Sequence, residues 1–207
     1  MKTFLFQGDS ITDCDRNRND DKNFGLGYPN MVAGRLMKDF PGEFFCVNKG
    51  VSGDRSVSLL ARMKRDLLYY KPDIMTLLIG VNDVWHDLDE KPNGVCADDY
   101  EEYLTIFFTK ILKNLPNIQI YVLEPFCLPG TATAGTPENW EYFSTEVPKV
   151  AERAKKVAEK FGFTFIPLQE KFDEACKTAP ADYWLRDGVH PTTPGHQLIA
   201  DEILKLV

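Results

Sequence analysis

The chain has little of what metal sites, membrane spans and nucleic-acid surfaces require. It contains only three histidines, His86, His190 and His196, and no His/Cys cluster at ligand spacing, so we expect no structural zinc site. No run of 18 apolar residues occurs, which predicts no membrane-spanning helix. The 24 basic residues are outnumbered by 31 acidic ones, giving a net charge of −7. Nucleic acid and anionic lipid both require a positive surface, so neither is expected as a partner.

No secretory signal is predicted either. The apolar stretch after Met1 and Lys2 is only Phe4 to Phe6, and polar residues follow at once. The number of cysteines is odd and their spacing is unpaired: Cys14, Cys46, Cys96, Cys127 and Cys176. We therefore expect free thiols in a cytoplasmic protein.

What is present is an ordinary globular composition. Of the 207 residues, 43% are hydrophobic and 27% are charged. This length suits one domain, covering residues 1–207, which buries roughly 70% of its unfolded surface.

Short apolar runs alternate with longer amphipathic stretches along the chain. The runs, at 4–6, 44–47, 74–79, 118–123 and 163–168, are bounded by polar residues, Gly or Pro, as buried parallel strands are. Helical spacing of apolar residues covers 29–40, 56–70, 98–115, 146–161 and 193–206. The alternation predicts an α/β fold, a three-layer α/β/α sandwich around a five-stranded parallel sheet in the flavodoxin-like order 2-1-3-4-5.

One long loop is predicted at residues 126–139, which contain Pro129, Gly130, Gly135 and Pro137. Such a loop either covers an active site or is a plain surface excursion.

Polar motifs follow the first three predicted strands. They are Gly8-Asp9-Ser10-Ile11-Thr12-Asp13, Asn48-Lys49-Gly50-Val51-Ser52-Gly53-Asp54 and Gly80-Val81-Asn82-Asp83-Val84-Trp85. A fourth, Asp187-Gly188-Val189-His190-Pro191-Thr192, lies near the C-terminus. The carboxyl ends of parallel strands border one crevice, so the fold should bring these motifs together.

In this order the four motifs resemble the SGNH hydrolases, also called the GDSL family of esterases and lipases. Over the whole chain the sequence is most similar to the carbohydrate O-acetyl esterases of that family, especially intracellular acetyl-xylo-oligosaccharide esterases. The resemblance implies the SGNH hydrolase fold and a serine esterase that needs no metal or organic cofactor. Family members include monomers and closed homo-oligomers, so the number of subunits stays open.

Ser10 is the candidate nucleophile, although Gly-Asp-Ser after a strand is also ordinary turn chemistry. His190 is the candidate base that activates the hydroxyl, and Asp187 is close enough along the chain to hold its other ring nitrogen. The resemblance assigns the same roles. The order Ser, Asp, His also occurs in α/β-hydrolases, but the chain has no Gly-x-Ser-x-Gly elbow.

The resemblance further implies an oxyanion hole made of the Ser10 N–H, the Gly53 N–H and the Asn82 side-chain amide. Such neutral donors stabilise the charge that forms on an ester carbonyl. For Gly53 and Asn82 the plainer alternatives are a strand-to-helix turn and a helix cap.

Candidate substrate contacts are Asp9, Asp54, Arg55, Trp85 and Trp184. Asp9 could instead bond the loop backbone, Asp54 and Arg55 could form a solvated helix start, and the tryptophans could be core residues rather than a sugar platform. Cys14 is expected to be a bystander without a histidine partner. His86 is expected to be a loop residue and His196 a structural one.

Three functions are compatible with these features. The first is hydrolysis of O-acetyl esters of short carbohydrates, with a small acetylated sugar as the partner. The second is hydrolysis of lipidic or thioester acyl groups, as by lysophospholipases and thioesterases. The third is a non-catalytic binding module.

Overall fold

Five parallel strands form one sheet in the order β2-β1-β3-β4-β5, which confirms the predicted order. The computed structural model describes all 207 residues. The strands are β1 (Lys2–Gly8), β2 (Phe44–Gly50), β3 (Ile74–Leu78), β4 (Gln119–Leu123) and β5 (Thr164–Ile166). All four pairings are parallel.

Nine helices flank the sheet. They are α1 (Ser10–Asp13), α2 (Tyr28–Asp39), α3 (Ser56–Met63), α4 (Val81–Trp85), α5 (Ala97–Asn114), α6 (Pro137–Phe161), α7 (Gln169–Ala175), α8 (Ala181–Trp184) and α9 (Thr193–Leu204). A π-helical turn, Lys64–Leu68, extends α3, and a 3-10 turn, His86–Leu88, follows α4. No helix is both long and apolar enough to cross a membrane.

The helices make two layers around a continuous core. Helices α2 and α9 pack together, while α5 contacts both α3 and α6. All five residues of β3 are buried, as expected for a central strand covered on both faces. The core cluster contains 48 buried residues drawn from the sheet and from both helical layers. The chain therefore has the predicted three-layer α/β/α architecture.

Helix α6 begins nine residues before the predicted start at residue 146. Thr136 caps it by accepting a hydrogen bond from the Asn139 N–H at 3.2 Å, and Pro137 occupies the first turn, where a missing N–H costs nothing. The helix then continues through Pro148 and ends, as predicted, at Gly162 in the left-handed conformation with φ +72°. Pro137, which the sequence analysis placed in a loop, is thus a residue of the first helical turn.

The predicted loop at residues 126–139 is accordingly shorter, because its last three residues belong to α6. Phe126, Cys127, Leu128 and Thr133 are buried. These four residues pack into the fold, whereas Pro129, Thr131, Gly135 and Thr136 are exposed. None of the segment's residues lines the cavity described below.

Candidate active site

The proposed nucleophile lies at the carboxyl end of β1. Asp9 caps the short helix α1 by accepting a hydrogen bond from the Ile11 N–H at 2.9 Å. This cap confirms the alternative reading of Asp9 as a residue that bonds the loop backbone. Ser10 is the first residue of α1, so its N–H has no acceptor within the helix.

Ser10, His190 and Asp187 form a chain of hydrogen bonds. The Ser10 Oγ lies 2.9 Å from His190 Nε2, although the two residues are 180 positions apart. His190 Nδ1 lies 2.7 Å from Asp187 Oδ2. An ionised carboxylate can only accept, so the Nδ1 atom carries the proton and Nε2 is free to accept from the serine hydroxyl.

The turn that carries Asp187 also fixes the orientation of its carboxylate. Asp187 Oδ1 accepts from the N–H groups of Val189 and His190 at 3.0 and 2.8 Å. Partial burial would raise the pKa of Asp187, but the bonds from the His190 ring and from these two N–H groups together lower it to about 2. The group is therefore ionised at neutral pH and holds the imidazole by charge as well as by geometry.

Two further N–H donors, from Gly53 and Asn82, line the same cavity as Ser10, which is described below. Gly53 has φ +82°, a conformation that favours glycine, and its N–H donates to no protein acceptor. A Cβ at this position would meet no protein atom within 4 Å, so the backbone conformation accounts for glycine here. The Asn82 Nδ2 donates to the Asp54 carbonyl oxygen at 3.1 Å, which leaves its second N–H available.

The buried carboxyl group of Asp83 connects the two chain segments that carry these donors. Asp83 accepts from the Ser56 N–H at 3.0 Å and also from the Ser56 hydroxyl. Asp83 follows Asn82 in α4, and Ser56 begins the helix after the Gly53 loop. Burial raises the pKa of Asp83 to about 7 despite the bonds from Ser56.

Ser10 and His190 open into a cavity of about 430 Å³. Only three of its fourteen lining residues are hydrophobic. Trp85 lies on one wall, with its ring centre 5.8 Å from the His190 ring and 6.0 Å from the Phe143 ring behind it. The remaining lining residues are Ser10, Ile11, Cys14, Asp15, Ser52, Gly53, Asn82, His86, Asp89, Arg186, His190, Pro191 and His196.

A sequence profile of the GDSL-like lipase/acylhydrolase family matches residues 6–198, almost the whole chain. The chain belongs to this family. It is 32% identical over 210 residues to the acetylxylan esterase of Geobacillus stearothermophilus, covering 97% of this chain and 91% of the relative.

Solved structures of GDSL-family relatives have the same fold as this chain. A protein of Parabacteroides merdae described as a GDSL-like lipase superposes with a TM-score of 0.91 at 37% identity, covering 99% of this chain and 94% of that one. The acetylxylan esterase Axe2 of Geobacillus stearothermophilus gives a TM-score of 0.85 at 31% identity, covering 99% of this chain and 93% of that one. The chain is thus a carboxylic ester hydrolase rather than a non-catalytic binding module, and the resemblance to carbohydrate acetyl esterases is confirmed.

Four of the five candidate substrate contacts do not line the cavity of this GDSL hydrolase. Asp9 is buried beneath α1 and is 1% exposed. The Asp54 carboxylate pairs with Arg62, and the Arg55 guanidinium donates to the Asn93 carbonyl. Trp184 packs at the end of α8 with its indole N–H buried. Only Trp85 lines the cavity, because it lies on the helical turn directly after β3.

Several residues line the cavity although the sequence analysis did not name them as candidate site residues. Asp15 follows α1, while His86 and Asp89 follow Trp85 and bond one another at 2.7 Å. Arg186 directly precedes Asp187, and this adjacency is the one signal that could have placed it at the site.

Cys14 does have a histidine partner, contrary to expectation. Its Sγ lies 3.3 Å from His196 Nε2. His196 Nδ1 accepts from the Tyr28 N–H at 3.2 Å, and burial lowers the pKa of His196 to about 4, so the ring is neutral with its proton on Nε2. That nitrogen donates to the sulfur and cannot take the thiol proton. Burial also raises the pKa of Cys14, so the thiol is not an activated nucleophile.

No group of three or more His, Cys, Asp or Glu side chains converges at metal-ligand spacing.

Proposed function

We propose that this GDSL hydrolase is a serine esterase that removes O-acetyl groups from short carbohydrates through an acetyl-enzyme. The observation that carries the proposal is the Ser10–His190–Asp187 chain of hydrogen bonds, which opens into a small, mostly polar cavity.

In the first half of the reaction, Ser10 Oγ attacks the acetyl carbonyl carbon and His190 Nε2 takes the hydroxyl proton. The imidazolium that forms is stabilised by the Asp187 carboxylate, 2.7 Å from Nδ1. His190 then returns the proton to the sugar oxygen as the C–O bond breaks, and the acetyl group stays on Ser10. In the second half, water attacks the acetyl-enzyme with the same base, releasing acetate and regenerating the serine.

The Ser10 N–H, the Gly53 N–H and the free N–H of Asn82 are the donors proposed for the oxyanion. All three residues line the cavity, and none of these N–H groups has to give up a protein acceptor when charge develops. Donors that are already oriented stabilise the transition state without reorganisation, at about 3–4 kcal/mol for one such group.

The cavity lining favours a small acyl group on a hydrophilic alcohol. A long acyl chain needs a continuous apolar channel, whereas eleven of the fourteen lining residues here are not hydrophobic. A more apolar depression between the π-helical turn and α5 does not include Ser10. The acetylxylan esterase relative supports the same substrate class.

We further propose that the enzyme acts in the cytoplasm on short imported sugars. All five cysteines are free, which suits a reducing compartment.

The test is acetate release from acetylated xylo-oligosaccharides, acetylated glucose and lysophospholipids, with Ser10→Ala as the blank. A series of p-nitrophenyl esters from acetate to octanoate measures chain-length preference on the same preparation. We expect acetate to exceed octanoate by a large factor and the acetylated sugars to be turned over. A preference for octanoate and lysophospholipid would replace the proposal with a lipid or thioester acyl hydrolase. Full turnover by Ser10→Ala would remove the serine mechanism.

A further inference from the structure

The segment after β4 lies directly behind the turn that carries Asp187. We name residues 127–134 the strap. Its Leu128 N–H donates to the Gly188 carbonyl at 2.9 Å, and its Ala132 N–H donates to the Asp187 carbonyl at 2.9 Å. Two successive carbonyl groups of the turn are therefore held from outside the turn by one short stretch of chain.

The backbone of the strap also lies very close to the backbone of the Asp187 turn at two glycines, Gly130 and Gly188. A Cβ on Gly130 would lie 2.3 Å from the Asp187 carbonyl carbon and 2.3 Å from the Gly188 nitrogen. Gly188 has φ +95°, and a Cβ there would lie 2.3 Å from the Thr133 hydroxyl. The two backbones approach so closely that neither glycine can carry a side chain without displacement.

Hydrogen bonds within the strap and to a neighbouring helix hold it in place. Thr133 is fully buried, and its hydroxyl donates to the Leu128 carbonyl at 2.6 Å, while the Ala134 N–H donates to the Gly130 carbonyl at 2.7 Å. Outside the strap, the Gln169 side chain accepts from the Cys127 N–H and donates to the Cys127 carbonyl, both at 3.0 Å. The turn thus rests on a segment anchored to α7.

We infer that the strap is a positioning device for Asp187, with Gly130 and Thr133 as the residues that set its fit. This inference rests on the proposed function, since it matters only if the Asp187 carboxylate must hold the His190 ring. Neither residue lines the cavity, so both act through the backbone of the turn.

The geometry sets the expected size of the effect. Ordinary van der Waals contact of a Cβ begins at 3.4 Å, so a methyl group at Gly130, with neighbours at 2.3 Å, must push the Asp187 backbone away by about 1 Å. A misplacement of that size in a catalytic array costs about 10²-fold in rate. Gly130 does not have a positive φ, so alanine strains only this contact and not its own backbone.

The experiment measures kcat and KM with p-nitrophenyl acetate, together with the melting temperature, for five variants. Gly130→Ala should lower kcat about 10²-fold with little change in KM. Its control, Gly135→Ala, has only the Thr131 carbonyl within reach at 3.2 Å and should keep normal kcat. Thr133→Val should lower kcat, Thr133→Ser should restore it by keeping the hydroxyl, and the exposed Thr131→Val should have no effect.

A second measurement separates positioning from general destabilisation. The rate at which a fluorophosphonate labels Ser10 is compared for Gly130→Ala in the normal chain and in the Asp187→Asn chain. If Gly130 acts through Asp187, the substitution slows labelling in the normal chain and adds little when the carboxylate is already gone. An equal factor in both backgrounds would mean a merely structural role and overturn the inference.

The outcomes distinguish the strap from the catalytic scheme. Normal kcat in both Gly130→Ala and Thr133→Val, with Ser10→Ala inactive and Asp187→Asn slow, overturns the strap alone. Normal turnover by Asp187→Asn overturns the catalytic scheme itself. If Gly130→Ala does not fold, the contrast between Thr133→Val and Thr133→Ser decides: loss in the first with recovery in the second supports the inference, and equal kcat overturns it.

Discussion

Replacing Asn82 by alanine tests the proposed oxyanion hole most quantitatively. The side chain is 5% exposed, and its amide is oriented by the 3.1 Å bond from Nδ2 to the Asp54 carbonyl. Only one N–H is left for the substrate, so the variant removes one of three proposed donors. A single donor of this kind contributes about 3–4 kcal/mol to the transition state, which corresponds to a fall in kcat of about 10²–10³.

The same substitution has a smaller cost in stability, which must be measured separately. The Asp54 carbonyl loses a hydrogen-bond donor, at about 1 kcal/mol. For a chain of this size that lowers the melting temperature by about 2–4 °C. The variant should therefore be folded at assay temperature, and its loss of rate should reflect chemistry.

The assay is steady-state hydrolysis of p-nitrophenyl acetate, with kcat and KM determined separately. Asn93→Ala is the matched control, since Asn93 is an exposed amide in the segment after Trp85 and does not line the cavity. We expect the control to retain its kcat. An increase in KM with unchanged kcat in Asn82→Ala would mean that the amide binds the ground state, and the oxyanion role would have to be abandoned.

Three further outcomes are expected. Asp187→Asn should lower kcat about 10⁴-fold while the fold is kept, because an amide nitrogen cannot accept from His190 Nδ1; a change of less than tenfold in kcat would argue against the triad. Burial raises the pKa of Asp9 from 3.8 to about 7, so the stability that this group contributes is full below about pH 4 and is lost as the pH rises through 7. The neutral variant Asp9→Asn should therefore show a smaller fall in melting temperature between pH 5 and 8, equivalent to about 3 kcal/mol in free energy of unfolding, and an unchanged fall would refute the buried-carboxyl explanation. Trp85→Ala should raise the rate for butyrate relative to acetate in a p-nitrophenyl ester series, because it removes an aromatic wall beside His190; an unchanged ratio would mean that Trp85 does not limit the acyl group.

The sheet and the main helices could be predicted because their signals are local. Each strand is a short apolar run ended by polar residues or glycine, and each long helix has apolar residues at three- and four-residue spacing. Short helices such as α1 and α8 have four residues each, too few for any periodicity to show. The predicted start of α6 was wrong because Pro137 was counted as a loop residue, whereas it occupies the first turn of a helix that Thr136 caps.

At the site, the sequence located the residues that we propose for the reaction, but not the neighbours that tertiary packing places beside them. Ser10, Asn82 and His190 each lie within a short sequence motif, and the neighbouring residues of that motif were enough to predict them. Cys14 and His196 are 182 residues apart, and their contact depends on how α9 packs against α2. The partners of Asp54 and Arg55 could not be predicted either. Their position directly after Gly53 suggested substrate contacts, but in the fold Asp54 pairs with Arg62 and Arg55 donates to the Asn93 carbonyl.

The central claim is that Ser10 is the nucleophile, and it is tested most directly by locating the covalent adduct. The protein is treated with a serine-directed fluorophosphonate, digested and analysed by mass spectrometry, alongside Ser10→Ala and His190→Ala. We predict a single adduct on the Ser10 peptide, absent from Ser10→Ala and formed much more slowly in His190→Ala. No labelling of the normal chain, or equally fast labelling when His190 is removed, would contradict the mechanism.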